Sequence, residues 1–574
     1  MRYPCPYPAR RDAGRREDGV TAHTATPLLS RRALLRRGGA LVVTFAIASH
    51  AIDADAATRP NAATRPNDKS VSPDEVGGFI SIDANGTVTI YSGKVELGTG
   101  AVTAIAQIAA EELSVSLDRV TMIQGDTHLT PNQGPTYASL TIQDGGMQIR
   151  RAAATAREAL LQQAAGNLNV AKDALTVRDG VITSRTDGKT LSYTQLIGEQ
   201  KLAMKIDPAA PLKDPKDYTI VGTPVPRRDI PAKIFGTFNF VQDHKLPGML
   251  HARVVHPAAV GATLERWNDD ACKKIPGYVR AVRKGNFLAV VATNEWAAIR
   301  ASTAIVATWS AWAGLPEESK LFDWVRNSKI DRTEVLQSAG NAGEPRKPGG
   351  QTLQATYDMT MNTHGSIGPS CAVADFKDGF LTVWTPTQAC HLLRPQLATM
   401  LQLPPERIRC IFIEGAGCYG RNGSDDCSSE AALIATIIGR PVRLQWMRAD
   451  EHGWDPKCPP VLLDYSADVD SEGQITRWEA DIFLNEQPMQ RSGATLLAAT
   501  LAKLPKFGSG RGFYNAGLGI PYNFANSKLT AYWLANEPLP AAWIRAPGRL
   551  QNTFANESFL DEIAAATASD PFEI

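Results

Sequence analysis

Closely spaced cysteines are missing from this chain of 574 residues. Iron–sulfur and structural zinc sites usually bring two thiolates together at a CxxC-like spacing, and no pair among the eight cysteines has it. We therefore predict that the chain holds no iron–sulfur cluster of its own and that its cysteines are small, buried, apolar residues. They are Cys5, Cys272, Cys371, Cys390, Cys410, Cys418, Cys427 and Cys458.

An excess of one charge and a long apolar run are also missing. The 60 basic and 59 acidic residues give a net charge of +1, and basic residues are not interleaved with aromatic ones, which excludes an evident nucleic-acid-binding surface. The apolar run at residues 40–49 is too short to cross a bilayer core of about 30 Å as a helix. We therefore predict no transmembrane segment in the mature chain. The length is typical of roughly two to four domains.

The N-terminal residues read as an export signal and a tether. The pair Arg31-Arg32 precedes the apolar run, and an Ala-x-Ala cleavage site follows it, which is the order of a twin-arginine signal. We predict that residues 1–57 are a twin-arginine signal peptide and that the protein is exported folded to the periplasm. The alternative is a basic amphipathic helix at a disordered terminus. Residues 58–74, which contain part of a tandem AATRPN repeat, are predicted to be a disordered linker.

A glycine-rich loop opens the folded region. Residues 79–82 and 87–91 alternate as short strands, and Gly93–Gly100 follows them. Apolar residues then recur at helical spacing from Val102 to Leu113. A glycine loop that leads into a helix presents free backbone N–H groups and a positive dipole end, which suit a phosphate. By itself this loop is better read as a tight turn, because the third glycine and the acidic residue of a dinucleotide-binding fingerprint are missing.

A second stretch follows a related plan. The sequence predicts a buried strand at residues 409–413, a glycine loop at Gly415–Gly420 and a helix from Asp426 to Gly439. Residues 113–120 and 401–408 also resemble each other, since both predict a helix end, a turn, an acid–arginine pair and a strand. Two related half-domains, each with a glycine loop, suit a long ligand with several anionic groups held between them.

At these residues the chain resembles the large subunits of the xanthine dehydrogenase and aldehyde oxidoreductase superfamily, in the circularly permuted branch of isoquinoline 1-oxidoreductase beta subunits. The likeness runs from about residue 75 to the end. Its collinear stretches are GKVELGTG (93–100), QGDT and TPNQGPTYAS (124–139), DIPAKIFGTFNFVQD (229–243), HGSIGPSCAVAD (364–375), TPTQ (385–388), EGAGCYGRNGSDD (414–426), RLQWMRADEHGW (443–454) and RAPGRLQNTFANESFLDE (545–562).

The resemblance implies an α+β, multidomain fold in which two related molybdopterin-binding α/β half-domains flank an α/β hammerhead module. We predict the first molybdopterin-binding segment at residues 75–215, the hammerhead-like module at residues 216–340 and the second, incomplete molybdopterin-binding segment at residues 341–574. The last residues, Asp570–Ile574, read as the middle of a helix without a capping glycine or proline. We therefore expect a C-terminally truncated chain.

The resemblance also implies a cofactor and its site. The cofactor is molybdopterin as its cytosine dinucleotide, with molybdenum held by the pterin dithiolene and by no protein side chain. Gln388 matches a glutamine whose amide approaches the apical oxygen of the metal, although by itself it reads as a solvated loop residue. Arg545 matches an arginine near the substrate pocket. Loop residues that match cofactor-binding positions are Gly98, Thr99, Gly100, Ala138, Ser139, Gly417, Tyr419 and Gly420.

The sequence departs from the family pattern at three places. Thr99 replaces the usual glutamine of the first loop, which removes one amide contact to the cofactor. Gly423 stands where xanthine dehydrogenases place a substrate-binding glutamate, which argues against purine substrates. The general-base glutamate of the family belongs to a later segment, beyond Ile574.

The implied activity is hydroxylation of an N-heteroaromatic or an aldehyde, with water as the oxygen source. Electrons would pass to a small partner subunit that carries the 2Fe–2S clusters, and then to a cytochrome c. Two alternatives stay open: a truncated, non-catalytic scaffold, and an exported binding protein without turnover.

Several other polar residues are interpreted as structural. His364 is expected to be a satisfied core or surface histidine. Asp425 and Asp426 are expected to be first-turn acids of a helix, where the helix dipole favours them. Residues 450–451, an Asp-Glu pair, are expected to lie in a turn.

Overall fold

The computed structural model describes residues 71–197, 204–312, 314–341, 350–423, 425–485, 487–489, 496–507, 510–512, 518–519, 522–535 and 539–574. The predicted signal peptide, the AATRPN repeat and most of the predicted linker lie outside the described residues.

The described α-helices range from four to 22 residues. In chain order they are α1 (Val76–Phe79), α2 (Ala101–Leu113), α3 (Met147–Leu168), α4 (Tyr193–Ile197), α5 (Ile230–Ile234), α6 (Glu295–Ala304), α7 (Leu321–Asn327), α8 (Cys390–Leu401), α9 (Asp426–Ile438), α10 (Arg448–Trp454), α11 (Leu497–Leu501) and α12 (Arg549–Thr567).

The described strands form several separate sheets. In chain order they are β1 (Ile80–Ile82), β2 (Val88–Ser92), β3 (Val120–Gln124), β4 (Leu175–Arg178), β5 (Val181–Ser184), β6 (Thr190–Ser192), β7 (Leu250–Val254), β8 (Leu264–Asn268), β9 (Tyr278–Lys284), β10 (Phe287–Ala292), β11 (Val306–Trp309), β12 (Ile330–Ala339), β13 (Gln351–Met359), β14 (Cys371–Lys377), β15 (Phe380–Thr385), β16 (Ile408–Phe412), β17 (Val442–Gln445), β18 (Val461–Val469), β19 (Ile475–Asn485), β20 (Gln487–Met489), β21 (Gly510–Gly512) and β22 (Ser527–Leu534). With the helices above, they confirm the α+β, multidomain prediction.

The first α/β unit consists of β1, β2, α2 and β3. β1 and β2 form an antiparallel hairpin, α2 crosses over, and β3 returns parallel to β2 with Ile90 opposite Met122. Helix α2 forms because its apolar stripe packs against the sheet, with Ile105 and Leu113 fully buried. It ends at Ser114, whose left-handed φ of 53° lets its N–H donate back to the last turn. The predicted strands and helix are confirmed within one residue or two.

The second α/β unit repeats this order in β14, β15, α8 and β16. β14 and β15 are antiparallel, and β16 lies parallel to β15 with Val383 opposite Cys410. Helix α8 ends at Gln402 in the same left-handed conformation, with a φ of 55°. A 3-10 turn precedes β3 at Leu117–Arg119 and β16 at Pro405–Arg407. The resemblance of residues 113–120 to residues 401–408 is therefore a structural equivalence.

This equivalence corrects the predicted pairing of the glycine loops. Gly93–Gly100 follows β2 and precedes α2, so its counterpart in the second unit is Pro386–Ala389, between β15 and α8. Gly415–Gly420 follows β16, so its counterpart is Gly125–Ser139, which follows β3. The pairing of Gly93–Gly100 with Gly415–Gly420 is wrong because both loops precede a helix, and that pattern alone does not show which strand of the unit comes before.

The two units meet edge to edge where β3 and β16 run into their loops. Asp126 and Ile411 form an antiparallel bridge. The Thr127 N–H donates to the Cys410 carbonyl at 3.0 Å, and the Cys410 N–H donates to Thr127 Oγ1 at 3.0 Å. Arg409 donates through two nitrogens to the Asp126 carboxylate, at 3.1 and 2.6 Å. We call these contacts between Asp126, Thr127, Arg409, Cys410 and Ile411 the seam of the two units. The loops after β3 and β16 both start from it.

Strands of the predicted middle segment join the sheet of the second unit. The seven-stranded sheet has the order β16-β15-β14-β17-β7-β10-β9, and β10 is buried at every residue, as a covered central strand should be. The five-stranded sheet has the order β12-β22-β19-β18-β13, so β12 pairs beyond the predicted boundary near residue 340. The domain limits stay predictions, and the sheets cross them.

The C-terminal helix ends before the last residues of the sequence. α12 ends at Thr567, and Ala568 adopts a left-handed φ of 54° from which its N–H donates back to the last turn. The expectation that residues 570–574 lie inside a helix is wrong, because an alanine supplies the C-terminal conformation that glycine or asparagine usually supplies.

The seven cysteines within the described residues are buried, which confirms their interpretation as small apolar core residues. Within the same residues, none of the helices is long and apolar enough to span a bilayer.

Candidate functional site

A buried carboxylate closes the first glycine loop. Gly98 and Gly100 have left-handed φ angles of 91° and 85°, and Gly100 is the N-cap of α2. The N–H groups of Gly100 and Val102 donate to the Glu96 carboxylate at 2.9 and 3.0 Å. The prediction of free N–H groups is wrong for these two, because Glu96 already occupies the positive end of the helix. Gly98 and Thr99 are exposed, and a Cβ added at Gly98 would have no atom within 4 Å.

Replacing Glu96 tests whether it caps α2. We expect Glu96→Ala to lower the free energy of unfolding by about 1 to 2 kcal/mol, because two N-terminal N–H groups lose their acceptor. The midpoint of urea unfolding, followed by circular dichroism, measures the loss. The exposed Glu265→Ala on β8 is the control, and equal midpoints for the two variants would contradict the capping role.

A chain of alternating charges joins the first loop to the second. Arg227 donates to the Gly98 carbonyl at 2.7 Å and, through two nitrogens, to Asp229 at 3.0 and 2.6 Å. Lys233 lies 2.7 Å from Asp229 and 2.6 Å from Glu414. Arg227 and Lys233 hold the pKa of Asp229 well below its ordinary value, whereas burial raises the pKa of Glu414 despite Lys233. Sequence reasoning missed this chain, although the i,i+4 spacing of Asp229 and Lys233 signals one of its pairs.

The loop after β3 is held from within by Gln133. Its side-chain oxygen accepts from Ser92 Oγ at 3.0 Å and from the Gly93 N–H at 2.9 Å. Its side-chain nitrogen donates to the Gly145 carbonyl at 3.0 Å and to Gln148 Oε1 at 2.9 Å. All four hydrogen-bonding positions of the amide are used, so this one side chain ties β2, the loop and α3 together.

Gln388 is buried where the loops of the two units meet. Its Nε2 donates to the Thr136 carbonyl at 2.8 Å, and the Thr136 N–H donates to the Gln388 carbonyl at 2.8 Å. Its Oε1 accepts from the Cys418 thiol at 3.4 Å, and its N–H donates to the Asn422 carbonyl at 2.8 Å. The interpretation as a solvated loop residue is wrong, because Gln388 is only 5% exposed. Gln388 therefore links the first unit's loop to the second glycine loop.

The second glycine loop runs against the segment that precedes α12. Tyr419 has a φ of 56°, and its carbonyl accepts from the Arg545 N–H at 2.8 Å. Gly420 has a φ of 104°, and a Cβ there would lie 2.2 Å from the Trp543 carbonyl oxygen. Gly417 has a φ of 116°. The Arg545 side chain is exposed, so the structure places its backbone, and not its guanidinium, against the loop.

Four residues with side chains hold a left-handed backbone in these loops. Other described non-glycine residues with positive φ end helices or sit at the turns of β-hairpins, where that conformation is ordinary. The four do neither. Each conformation costs about 1 kcal/mol or more, and such strain concentrates where ligands are held. They are Ala138, Ser139, Tyr419 and Ala546, of which the first three are predicted site residues.

A buried ion cluster supports the second loop. Arg421 lies 2.5 Å from Asp455 and stacks over the Trp446 ring at 5.0 Å. His364 Nδ1 lies 2.9 Å from Asp455, and its Nε2 donates to the Trp543 carbonyl at 2.6 Å. Although burial favours the neutral acid, Arg421 and His364 lower the pKa of Asp455. His364 is thus a satisfied core residue, as the sequence predicted.

The acids Asp425 and Asp426 stand at the start of α9, as predicted, but their carboxylates turn away from it. Asp425 accepts from Thr387 Oγ1 at 2.8 Å, and Asp426 accepts from the Leu497 N–H at 2.8 Å. Burial raises the pKa of Asp425 to about 7 and that of Asp426 to about 6. Their position was readable from the sequence, whereas their partners were not.

The acids Asp450 and Glu451 lie in the first turn of helix α10, so their prediction as turn residues is wrong. Asp450 accepts from the Met447 N–H at 2.8 Å, which stabilises the helix start. A helix of seven residues is too short for its apolar periodicity to be recognised in the sequence.

Two sequence profiles match the chain, and both are described as molybdopterin cofactor-binding domain. They cover residues 30–236 and 331–574. The chain belongs to the xanthine dehydrogenase family of molybdopterin-binding oxidoreductase subunits. In this molybdopterin-binding subunit, Thr136 lies in one matched region, and Gln388 and Cys418 lie in the other.

Two curated relatives of this molybdopterin-binding subunit are longer than the chain. The chain is 37% identical over 522 residues to a nicotinate dehydrogenase subunit of Pseudomonas putida. The aligned region covers 88% of the chain and 43% of that protein. The chain is 25% identical to the beta subunit of isoquinoline 1-oxidoreductase of Brevundimonas diminuta, which covers 96% of the chain and 75% of that protein. The chain therefore spans less than half the length of the first relative and three quarters of the second.

The fold of the molybdopterin-binding subunit also occurs in a solved structure. Aldehyde oxidoreductase from Desulfovibrio gigas superposes with a TM-score of 0.52 at 15% identity, covering 83% of the chain and 52% of that protein. At this identity the likeness concerns the fold alone.

Proposed function

We propose that the chain is the large subunit of a molybdenum hydroxylase that oxidises an N-heteroaromatic compound or an aldehyde, with water as the oxygen source. The observation that carries this proposal is the buried Gln388, bonded to Thr136 in one molybdopterin-binding region and to Cys418 in the other. The names of the relatives, a nicotinate dehydrogenase subunit and an isoquinoline 1-oxidoreductase subunit, support an N-heteroaromatic substrate.

The loops fit a flat pterin that carries anionic groups. Space is open on the Cβ side of Gly98. Ala138 and Ser139 follow Thr136 closely and Tyr419 follows Cys418, and all three are exposed and hold a strained backbone. Small residues allow close backbone approach, and backbone donors suit phosphate and pterin oxygens. We propose that these residues, with Thr99, Gly100, Gly417 and Gly420, hold molybdopterin as its cytosine dinucleotide. When bound, the molybdenum centre supplies the two-electron oxidation of the substrate carbon.

Two side chains are proposed to act on the bound groups. One N–H of the Gln388 amide donates to Thr136, which leaves the second N–H to donate toward the cofactor from a fixed direction. Arg545 presents an exposed guanidinium on a backbone held by Tyr419, which suits an electron-rich or carboxylate-bearing substrate. The electron acceptors are proposed to be a small 2Fe–2S subunit and then a cytochrome c.

Export by the twin-arginine route to the periplasm is part of the same proposal. It rests on Arg31-Arg32 and the apolar run that follows. A route that carries folded proteins suits a subunit that must enclose its cofactor before export.

Molybdenum content and turnover test the proposed function. We expect the complex purified with its partner subunit to contain about one molybdenum per large subunit and to reduce an electron-accepting dye with isoquinoline, nicotinate or benzaldehyde. Elemental analysis and dye reduction measure the two quantities. Protein from cells grown with tungstate is the control, since it should be folded and inactive.

The outcomes separate the alternatives. Stoichiometric molybdenum without turnover of any of the three compounds would contradict the substrate class and leave the cofactor assignment standing. A folded protein that binds one of the compounds without containing molybdenum would favour an exported binding protein. A folded protein with neither property would favour a non-catalytic scaffold.

A further inference from the structure

Asp425 does not cap its own helix, although it stands at the N-cap position. It is the N-cap of α9, where an aspartate carboxylate ordinarily accepts from the first N–H groups of its own helix, yet it makes no side-chain cap bond. The carboxylate instead accepts from the Thr387 hydroxyl at 2.8 Å. Both residues are buried, with Thr387 fully enclosed. A buried carboxylate needs compensating hydrogen bonds, and the Thr387 hydroxyl supplies one to Asp425.

The Thr387 hydroxyl also contacts the peptide group that joins Gln388 to Ala389. It donates to Asp425 and accepts from the Ala389 N–H at 3.1 Å. The Thr387 N–H donates to Thr385 Oγ1 at 3.2 Å. The backbone is therefore held on both sides of Gln388, immediately before the first turn of α8.

We propose that Thr387 and Asp425 are positioning residues for Gln388. The Asp425 carboxylate orients the Thr387 hydroxyl, and the hydroxyl holds the Ala389 N–H, so the Gln388 amide points in one direction. The inference rests on the proposed function, because the amide's direction matters only if Gln388 faces the cofactor.

The charge of Asp425 determines the polarity of these hydrogen bonds. Burial raises the pKa of Asp425 to about 7, and Thr387 and Arg421 oppose the shift. The ionised carboxylate only accepts, so the Thr387 hydroxyl must donate to it and stays available to Ala389. The neutral acid can donate to Thr387 instead. The Thr387 O–H is then no longer held by Asp425, and the hydroxyl oxygen has to accept from both Asp425 and Ala389. The charged and titratable groups that face Asp425 are Arg421, Asp426, Cys390, Cys410 and Cys418.

Matched substitutions of Thr387 test the inference in the full complex with its partner subunit. We expect Thr387→Val, which keeps the shape and removes the hydroxyl, to lower kcat about tenfold or more with nicotinate as the probe, and to change KM less than twofold. Amide hydrogen exchange of residues 387–390 should become about tenfold faster, whether or not molybdenum is bound. Thr387→Ser keeps the hydroxyl and should restore both quantities.

The pH profile supplies an independent readout. The wild type should gain kcat as pH rises through about 7, and Asp425→Asn, which cannot ionise, should remove that rise. A rise that survives in Asp425→Asn overturns the inference, and this variant carries the test if Thr387→Val does not fold.

A second threonine–aspartate pair serves as the matched control. Thr352 on β13 donates to Asp468 at 2.6 Å in the five-stranded sheet. Thr352→Val should leave both kcat and the exchange of residues 387–390 unchanged. Equal behaviour of Thr387→Val and Thr352→Val overturns the inference. A wild type without molybdenum or turnover refutes the proposed function instead, while the exchange contrast between Thr387→Val and Thr387→Ser still tests the hydrogen bonds.

Discussion

Gly420→Ala is expected to destabilise the chain by roughly 3 kcal/mol or more and to lower its molybdopterin content. The added Cβ would lie 2.2 Å from the Trp543 carbonyl oxygen, at a φ of 104° that residues with a Cβ rarely adopt. The obstacle is backbone, so no side-chain rotation relieves it. The same carbonyl accepts from His364 Nε2 at 2.6 Å, and a shift of Trp543 would strain the link from His364 to Asp455.

The measurement for Gly420→Ala is the shift of the urea unfolding midpoint together with the pterin released on denaturation. Gly188→Ala is the matched control, because Gly188 also has a positive φ, 72°, but faces open space. We expect Gly188→Ala to lower the free energy of unfolding by about 1 to 2 kcal/mol, because backbone strain is the only effect of the added Cβ there. If the two variants unfold at the same midpoint, the close approach of Gly420 and Trp543 has no energetic role.

His256→Ala is expected to lower the free energy of unfolding by about 3 to 5 kcal/mol, because it leaves two acids of a buried cluster without their cation. His256 lies 2.9 Å from Glu430 and 3.0 Å from Asp450. Its ring stacks on Trp454 and meets Trp446 edge to face. Burial alone would lower the pKa of His256, but Glu430 and Asp450 outweigh it and raise the pKa to about 9. The cluster ties the segment before β8 to α9 and α10.

The sign of the pH dependence follows from the raised pKa of His256. The folded chain favours the protonated imidazole, so its stabilisation is complete below the ordinary value of 6.5 and is lost as pH rises through about 9. The corresponding loss is roughly 3 kcal/mol. Urea unfolding at pH 6 and pH 9.5 should show it in the wild type and not in His256→Ala.

His244 offers the control for this pH dependence. It is half-buried, and this burial lowers its pKa, so protonation of His244 opposes folding. His244→Gln should therefore retain the alkaline loss of stability. An alkaline loss of equal size in His256→Ala would contradict the role of His256.

The local part of the fold was predictable from the sequence. Apolar spacing between Val102 and Leu113 predicts helix α2, and the strand at residues 409–413 is β16 within one residue. The pairing of the glycine loops was wrong because a strand, a glycine loop and a helix follow one another at both places, and this order does not show which strand of the unit precedes the loop. The C-terminal helix was misread because Ala568 adopts a conformation that the sequence pattern assigns to glycine or asparagine.

The sequence named candidate site residues, which stay predictions, and it did not show the hydrogen bonds that these residues make. Gln388 and Thr136 are 252 residues apart, and Thr387 and Asp425 are 38 apart, so no local pattern joins either pair. The link from Lys233 to Glu414, 181 residues apart, was not foreseen for the same reason. Glu96 lies only four and six residues from the N–H groups it accepts from, but this spacing is not that of a capping box, so no known pattern identified it.

The sequence by itself determined which segments form the two α/β units and which residues stand in their loops, because helix and strand periodicity and glycine positions are local properties. Only the tertiary structure decided that the two units share a seam at β3 and β16 and that Asp425 faces Thr387. Those contacts depend on how distant surfaces pack, and the packing of a whole core selects them.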